Sequence, residues 1–143
     1  FRKVKIELKQ QIGEIISESC IYRTAAWGDD KQSDYLNQVL SISSKLSADE
    51  VLNYCMEIEV LNGRVRNPEN QWAPRTIDID ILYYGNEIIN TAQLTLPHPR
   101  LHQRNFVLVP LVEIAAELIH PIFQKSNAQL LEECVDQLEV NEL

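Results

Sequence analysis

The 143 residues carry 13 basic and 21 acidic side chains, a formal net charge of −8, and are 45% hydrophobic and 24% charged. A chain of this size and apolarity suits one folded domain and argues against disorder, and its acid excess argues against a general binder of nucleic acid or anionic membrane. No apolar run is long enough to span a bilayer, and the opening FRKVKIELKQQ is not a signal peptide. Cys20, Cys55 and Cys134 are odd in number and in no paired spacing, which predicts free thiols in a reducing cytoplasm and neither a disulfide framework nor a zinc site.

Val4, Leu8, Ile12, Ile15 and Ile16 follow helical spacing and predict an amphipathic helix ending near Gly13 to Ile16. Strands are predicted over Ser17 to Thr24 and Tyr35 to Ser43, separated by the polar stretch AAWGDDKQSD. Ser47-Ala-Asp-Glu50 reads as a capping box opening a helix through about Leu61, whose apolar face is Val51, Leu52, Cys55, Ile58 and Val60/Leu61. The loop NGRVRNPENQWAPRT follows, long enough to suggest a functional role. Ile77 to Tyr84 reads as a strand, with Gly85-Asn86 as a hairpin turn into Glu87 to Asn90. LPHPRLHQRNF is irregular because each Pro biases its predecessor away from helix. Helices are expected over Phe106 to Ala115 and from a Ser126 cap to about Leu138. This order, with one further strand upstream of Phe1, is βαββαβ, an α+β ferredoxin-like antiparallel sheet with flanking helices in a single domain spanning 1–143. The chain begins at Phe1 and not at Met, so residues upstream are expected.

Charge is unevenly distributed. Between Arg64 and Arg104 lie five Arg (64, 66, 75, 100 and 104), no Lys and four acids, a net +1 that leaves −9 for the rest. Guanidinium is the fork-shaped, permanently charged group suited to phosphate or carboxylate, although arginines also decorate loops without a ligand. Ile77-Asp78-Ile79-Asp80-Ile81 alternates apolar and acidic residues. In a strand the two Asp share one face with Cα atoms about 6.6 Å apart. Two solvated Asp on a half-exposed strand are the commoner meaning of such a pattern. Paired carboxylates are also what Mg²⁺ accepts alongside water and substrate phosphates. The arginines and His98 beside them supply the other parts of phosphoryl transfer, which is positioning plus electrostatics. No Gly-rich phosphate loop is present, so side chains and metal would have to hold phosphate. Trp72, on a polar loop, is a large ring that closing over a ligand would bury. Tyr35, Asn37 and Phe106 are individually ordinary core residues; as a set they could stack on and hydrogen-bond a flat heterocycle.

The runs GRVR, PRTIDIDIL and LPHPRLHQRNFVLVPLVEIAAELIHP resemble 6-hydroxymethyl-7,8-dihydropterin pyrophosphokinases of folate biosynthesis, and IYRTAAWG and DYLNQV extend the likeness over nearly the whole chain. The resemblance implies a cytoplasmic, monomeric ferredoxin-like enzyme that moves the pyrophosphoryl group of ATP onto the pterin hydroxymethyl and releases AMP. It implies that Asp78 and Asp80 hold two Mg²⁺, with Asp80 a candidate proton acceptor. Arg64 and Arg75 would stabilise the transferring group, assisted by Arg66, while Trp72 seals the loop. His98 and Arg104 would contact ATP phosphates, with Glu59, Ile81 and Thr95 near the nucleotide. Tyr35 and Phe106 would sandwich the pterin, Asn37 would bond its edge, and the Thr24 to Gly28 loop, Trp27 included, would complete its pocket. Gln71, Ala73 and Met56 depart from the family pattern, and the family's first strand and its turn are expected before Phe1.

Two other readings use the same residues. A ferredoxin-like binding module would have no need of both the Asp pair and the Arg set, and a Mg²⁺-dependent nucleotidyltransferase would release pyrophosphate in place of AMP.

Overall fold

The structure, a computed structural model, describes residues 1–25, 34–63 and 77–143. In chain order its elements are α1 (Arg2–Gln11), β1 (Gly13–Glu18), β2 (Tyr22–Thr24), β3 (Tyr35–Asn37), β4 (Leu40–Ser44), α2 (Ala48–Leu61), β5 (Ile89–Asn90), β6 (Thr95–Leu96), a 3₁₀ turn (Leu101–Gln103), α3 (Asn105–Ala115), α4 (Asn127–Glu133) and β7 (Val140–Glu142). It is a mixed α+β chain in which β2 runs antiparallel to both β3 and β7, and β5 antiparallel to β6. Two compact units are distinguished, Phe1–Glu14 with Ile42–Ile81, and Ile15–Ser41 with Leu82–Leu143.

In the first unit α1 packs on α2. The i, i+4 spacing of Val4, Leu8 and Ile12 puts one buried stripe on or beside α1, and Ala48, Val51, Cys55 and Ile58 supply the buried face of α2. The α2 capping box forms as expected, with Ser47 Oγ accepting from Glu50 N–H and the Glu50 carboxylate accepting from Ser47 N–H. Gly63, at φ +92°, lies just past the helix end, where a left-handed residue closes the last turn. Asn62 ties α2 to α1 by donating to Glu7 Oε2 at 2.6 Å. The first helix ends earlier than its apolar spacing suggests. Ile15 and Ile16 belong to β1, where exposure alternates residue by residue and Ile16 faces out. The close approach of Gly13 to the Ser43 carbonyl, where any Cβ would lie 1.9 Å from the oxygen, is what the strand there requires.

The predicted strands Ser17 to Thr24 and Tyr35 to Ser43 are each divided in two. Ser19 is the corner. Its N–H donates to Val39 O (2.9 Å), its Oγ accepts from Val39 N–H (3.0 Å), and its carbonyl accepts from the Gln38 amide (2.8 Å). These bonds interrupt the ladder, so β1 pairs with β4 while β2 joins a separate sheet of order β3-β2-β7. In that sheet Thr24 stands opposite Tyr35 and Val140, and Tyr22 opposite Asn37 and Glu142. Helix α3 packs against all three strands and against α4, around the buried side chains of Leu101, Leu108, Leu111 and Leu130.

Three further expectations are corrected. Ile77 to Tyr84 forms no strand and has no ladder partner among the described residues, because alternation sets which way side chains face without supplying a neighbouring strand. The Gly85-Asn86 turn is present, with Gly85 at φ +53° and Glu87 N–H donating to Tyr84 O, yet β5 pairs forward with β6 through a turn closed by Thr91 and Leu94. The last helix keeps its Ser126–Gln129 capping box but stops at Glu133, and the chain returns as β7 along β2.

Candidate active site

In the first unit the Asp-Ile-Asp segment keeps its alternation, with Ile77 and Ile79 half-buried and Asp78 and Asp80 exposed. The segment is pinned from α2. Glu59, only 4% exposed, accepts the Ile79 N–H on Oε1 at 2.8 Å, between the two aspartates in sequence. Helical geometry places Glu59 one turn from Cys55, and the Cys55 thiol is pushed up to about 12 by burial first and then by the Glu59 and Asp80 carboxylates. Asp80, Glu59 and Cys55 therefore share one neighbourhood, and the thiol stays protonated. A backbone N–H bonded to a carboxylate is among the stronger bonds of a fold. Glu59→Ala is expected to cost about 2 kcal/mol, read as a lower urea midpoint at unchanged slope. A loss under about 0.5 kcal/mol, the range of an uninvolved surface change, would show that the bond is dispensable. Ile81 is half-buried at the end of the same unit.

The second unit holds the described residues among those expected around the pterin, Thr24, Tyr35, Asn37 and Phe106. Thr24 is buried, Tyr35 exposed and Asn37 half-buried, on paired β2 and β3, and the Asn37 amide donates to Thr24 Oγ1 at 3.2 Å. Phe106 sits in the first turn of α3, with the Arg104 guanidinium 5.5 Å from its ring centroid, inside cation–π range. His98 is fixed by its backbone, its N–H donating to Leu82 O at 2.9 Å. Its Nδ1 accepts from Arg100 N–H at 3.2 Å, which in the neutral ring assigns the proton to Nε2. Thr95 is exposed on β6. Trp27, Arg64, Arg66, Trp72 and Arg75, with Gln71 and Ala73, lie outside the described residues.

Glu113 and Asp136 were not singled out by the sequence, and both support this second unit. Glu113, on α3, accepts from Tyr22 Oη (2.6 Å) and from Cys20 N–H (3.0 and 3.2 Å), fastening the start of β2 to the helix. The Tyr22 bond, and then the Cys20 N–H, hold the Glu113 carboxyl below its ordinary value, while Tyr22 is pushed up to about 12 by Glu113 first and burial second. All three cysteines are free; hydrogen bonds to Glu142 and then Glu113 raise the exposed Cys20 thiol to about 11, so Cys20 and the buried Cys55 are held as thiols. Asp136 bonds the start of α3. Nothing local marks either partnership, since the paired residues lie 91 and 31 positions apart.

Among the described residues no group of three or more His, Cys, Asp or Glu is placed to hold a metal ion, and no helix is long and apolar enough to cross a membrane. The family model for 7,8-dihydro-6-hydroxymethylpterin-pyrophosphokinase (HPPK) matches residues 1–116. The chain belongs to the HPPK family.

Three relatives show how close this HPPK chain lies to others, and each is named 2-amino-4-hydroxy-6-hydroxymethyldihydropteridine pyrophosphokinase. The chain is 42% identical over 123 residues to that of Haemophilus influenzae, covering 86% of this chain and 72% of the relative. It is 41% identical over 120 residues to that of Aquifex aeolicus, covering 84% and 74%. To that of Methylorubrum extorquens it is 43% identical over 105 residues, covering 73% and 65%. The HPPK match takes in Asp78, Asp80, His98, Arg104 and Phe106, whereas Asp136 lies beyond it.

Proposed function

We propose that the chain transfers the pyrophosphoryl group of ATP to the hydroxymethyl oxygen of 6-hydroxymethyl-7,8-dihydropterin and releases AMP. The observation that carries this reading is the exposed Asp78–Asp80 pair, held through Glu59, in a chain of the HPPK family. In the step, the hydroxymethyl oxygen bonds to the β-phosphorus and loses its proton. The bond between that phosphorus and the α,β-bridging oxygen breaks, and AMP keeps the bridging oxygen.

The donor set fits Mg²⁺. Two exposed carboxylates offer hard oxygens, and this ion takes one or two protein carboxylates and fills its other positions with water and phosphate oxygens. Asp78 and Asp80 hold two such ions, which when bound neutralise charge on the phosphate oxygens. Arg104 and His98 Nε2–H bind the phosphates, with Glu59, Ile81 and Thr95 near the nucleotide. Arg64 and Arg75 meet charge on the transferring group, Arg66 assists, and Trp72 closes the site to water, which suits a reaction prone to hydrolysis. Tyr35 and Phe106 stack on the pterin, Asn37 bonds its edge, and Thr24 and Trp27 line the pocket. Asp80 is available to take the hydroxyl proton.

The reading extends to a single ferredoxin-like pyrophosphokinase domain over 1–143, acting as a cytoplasmic monomer on small molecules, with no nucleic-acid or membrane partner. The run from α1 through β1, β2, β3 and β4 to α2, with β1 paired to β4 and β2 to β3, supports the fold. Incubation with ATP, Mg²⁺ and the pterin, followed by separation of nucleotides, is expected to give AMP and pterin diphosphate in equal amounts. Pyrophosphate as the released product would mean nucleotidyl transfer, and unchanged ATP would sink the assignment.

A further inference from the structure

Helix α3 begins without the usual means of holding its first turn. Its N-cap, Arg104, makes no side-chain capping bond, and no acidic residue stands in the first turn. Pro110, inside the helix, has no N–H to donate to the Phe106 carbonyl four residues earlier. The first amides of a helix have no partner within it, so an uncapped start frays.

What α3 lacks comes from a residue 31 positions away. Asp136 Oδ2 accepts the Asn105 N–H at 2.9 Å, and the Asn105 side-chain amide donates back to the Asp136 carbonyl. The second carboxylate oxygen, Oδ1, accepts the Leu138 N–H at 2.9 Å, which orients the carboxylate. A negative group at a helix N-terminus also meets the positive end of the helix dipole. The two-way bond to Asn105 fixes the backbone immediately before Phe106 and immediately after Arg104, the residue whose guanidinium lies over the Phe106 ring.

We propose that Asp136 is a positioning residue for Phe106, acting through Asn105 to aim the ring that stacks on the pterin. The proposal rests on the reading of Phe106 as a pterin-binding side chain. Its test is calorimetric binding of 6-hydroxymethyl-7,8-dihydropterin to the full chain, with Mg²⁺ and a non-transferable ATP analogue present. Asp136→Ala is expected to weaken pterin binding about tenfold, and Asp136→Asn, which keeps one acceptor oxygen, falls between it and wild type. Ser126→Ala removes a capping bond from α4 in the same unit and serves as the structural comparison. It is expected to lower the melting temperature about as much as Asp136→Ala while leaving pterin affinity within about twofold, because α4 carries none of the residues assigned to the pterin.

Equal pterin affinity in wild type and Asp136→Ala would overturn the role of Asp136, as would an equal loss in Ser126→Ala. Should Asp136→Ala not fold, Asp136→Asn decides alone, by weaker pterin binding or none of that weakening. Wild type that binds ATP analogue but no pterin would remove the pterin reading itself, and the positioning role with it.

Discussion

Asp80→Ala is expected to reduce AMP formation by about three orders of magnitude while its melting temperature stays within about 2 °C of wild type. The two halves of this result have separate causes. Asp80 is exposed, so its removal leaves no cavity. It also removes one of the two carboxylates, Glu59 and Asp80, that after burial push the Cys55 thiol upward. Activity is another matter, because transfer between polyphosphate and alcohol concentrates negative charge that the Asp80-held ion is proposed to offset. Asp80→Asn, with the same shape and no charge, should lose nearly as much turnover, which separates charge from packing. Near-normal AMP formation by either variant would show that the metal-holding role has been given to the wrong residue.

Gly13→Ala is expected to destabilise the protein by about 3 kcal/mol or more, the upper range for forcing atoms into a filled space. The added Cβ would lie 1.9 Å from Ser43 O, 2.9 Å from Ser43 C and 3.1 Å from Ser44 Cα, all backbone atoms with no rotamer through which to escape. Separation of β1 from β4 is the remaining relief, and Ser44 resists it by donating Oγ–H to Ile12 O at 2.7 Å. Gly85 supplies the contrast. It has φ +53° and nothing within 4 Å of where a Cβ would stand, so Gly85→Ala should cost only about 1 kcal/mol of backbone strain. Urea midpoints measure both. A Gly13→Ala midpoint indistinguishable from wild type would mean that β1 and β4 do not approach as described.

The features legible in the sequence are those whose partners lie within one turn or one strand repeat. Ser47 with Glu50 and Ser126 with Gln129 are three residues apart, and both capping boxes form. The alternation of Asp78 and Asp80 with isoleucine likewise reappears as alternating exposure. Of the expected site, Thr24 and Asn37 prove to be hydrogen-bonded to each other, and the Arg104 guanidinium lies over the Phe106 ring, contacts that the residue types alone did not indicate. Glu59 is different again. The resemblance set it near a nucleotide, and the structure adds a bond to Ile79 that orders the aspartates' backbone. Ser19, Glu113 and Asp136 escaped notice because Ser, Glu and Asp are ordinary surface residues until a distant amide or hydroxyl comes to them.

By itself the sequence determined the family, the kinds of chemical group available for phosphate and pterin, where two helices start, and which side of the Asp-Ile-Asp segment is wet. Only the tertiary structure decided which strands pair, where the long strands break at Ser19, that β7 returns along β2, and that α3 is capped from Asp136. The reason is physical. Periodicity and capping are local consequences of backbone geometry, whereas every backbone N–H not satisfied locally must find an acceptor, and which distant one it finds depends on the whole chain being packed.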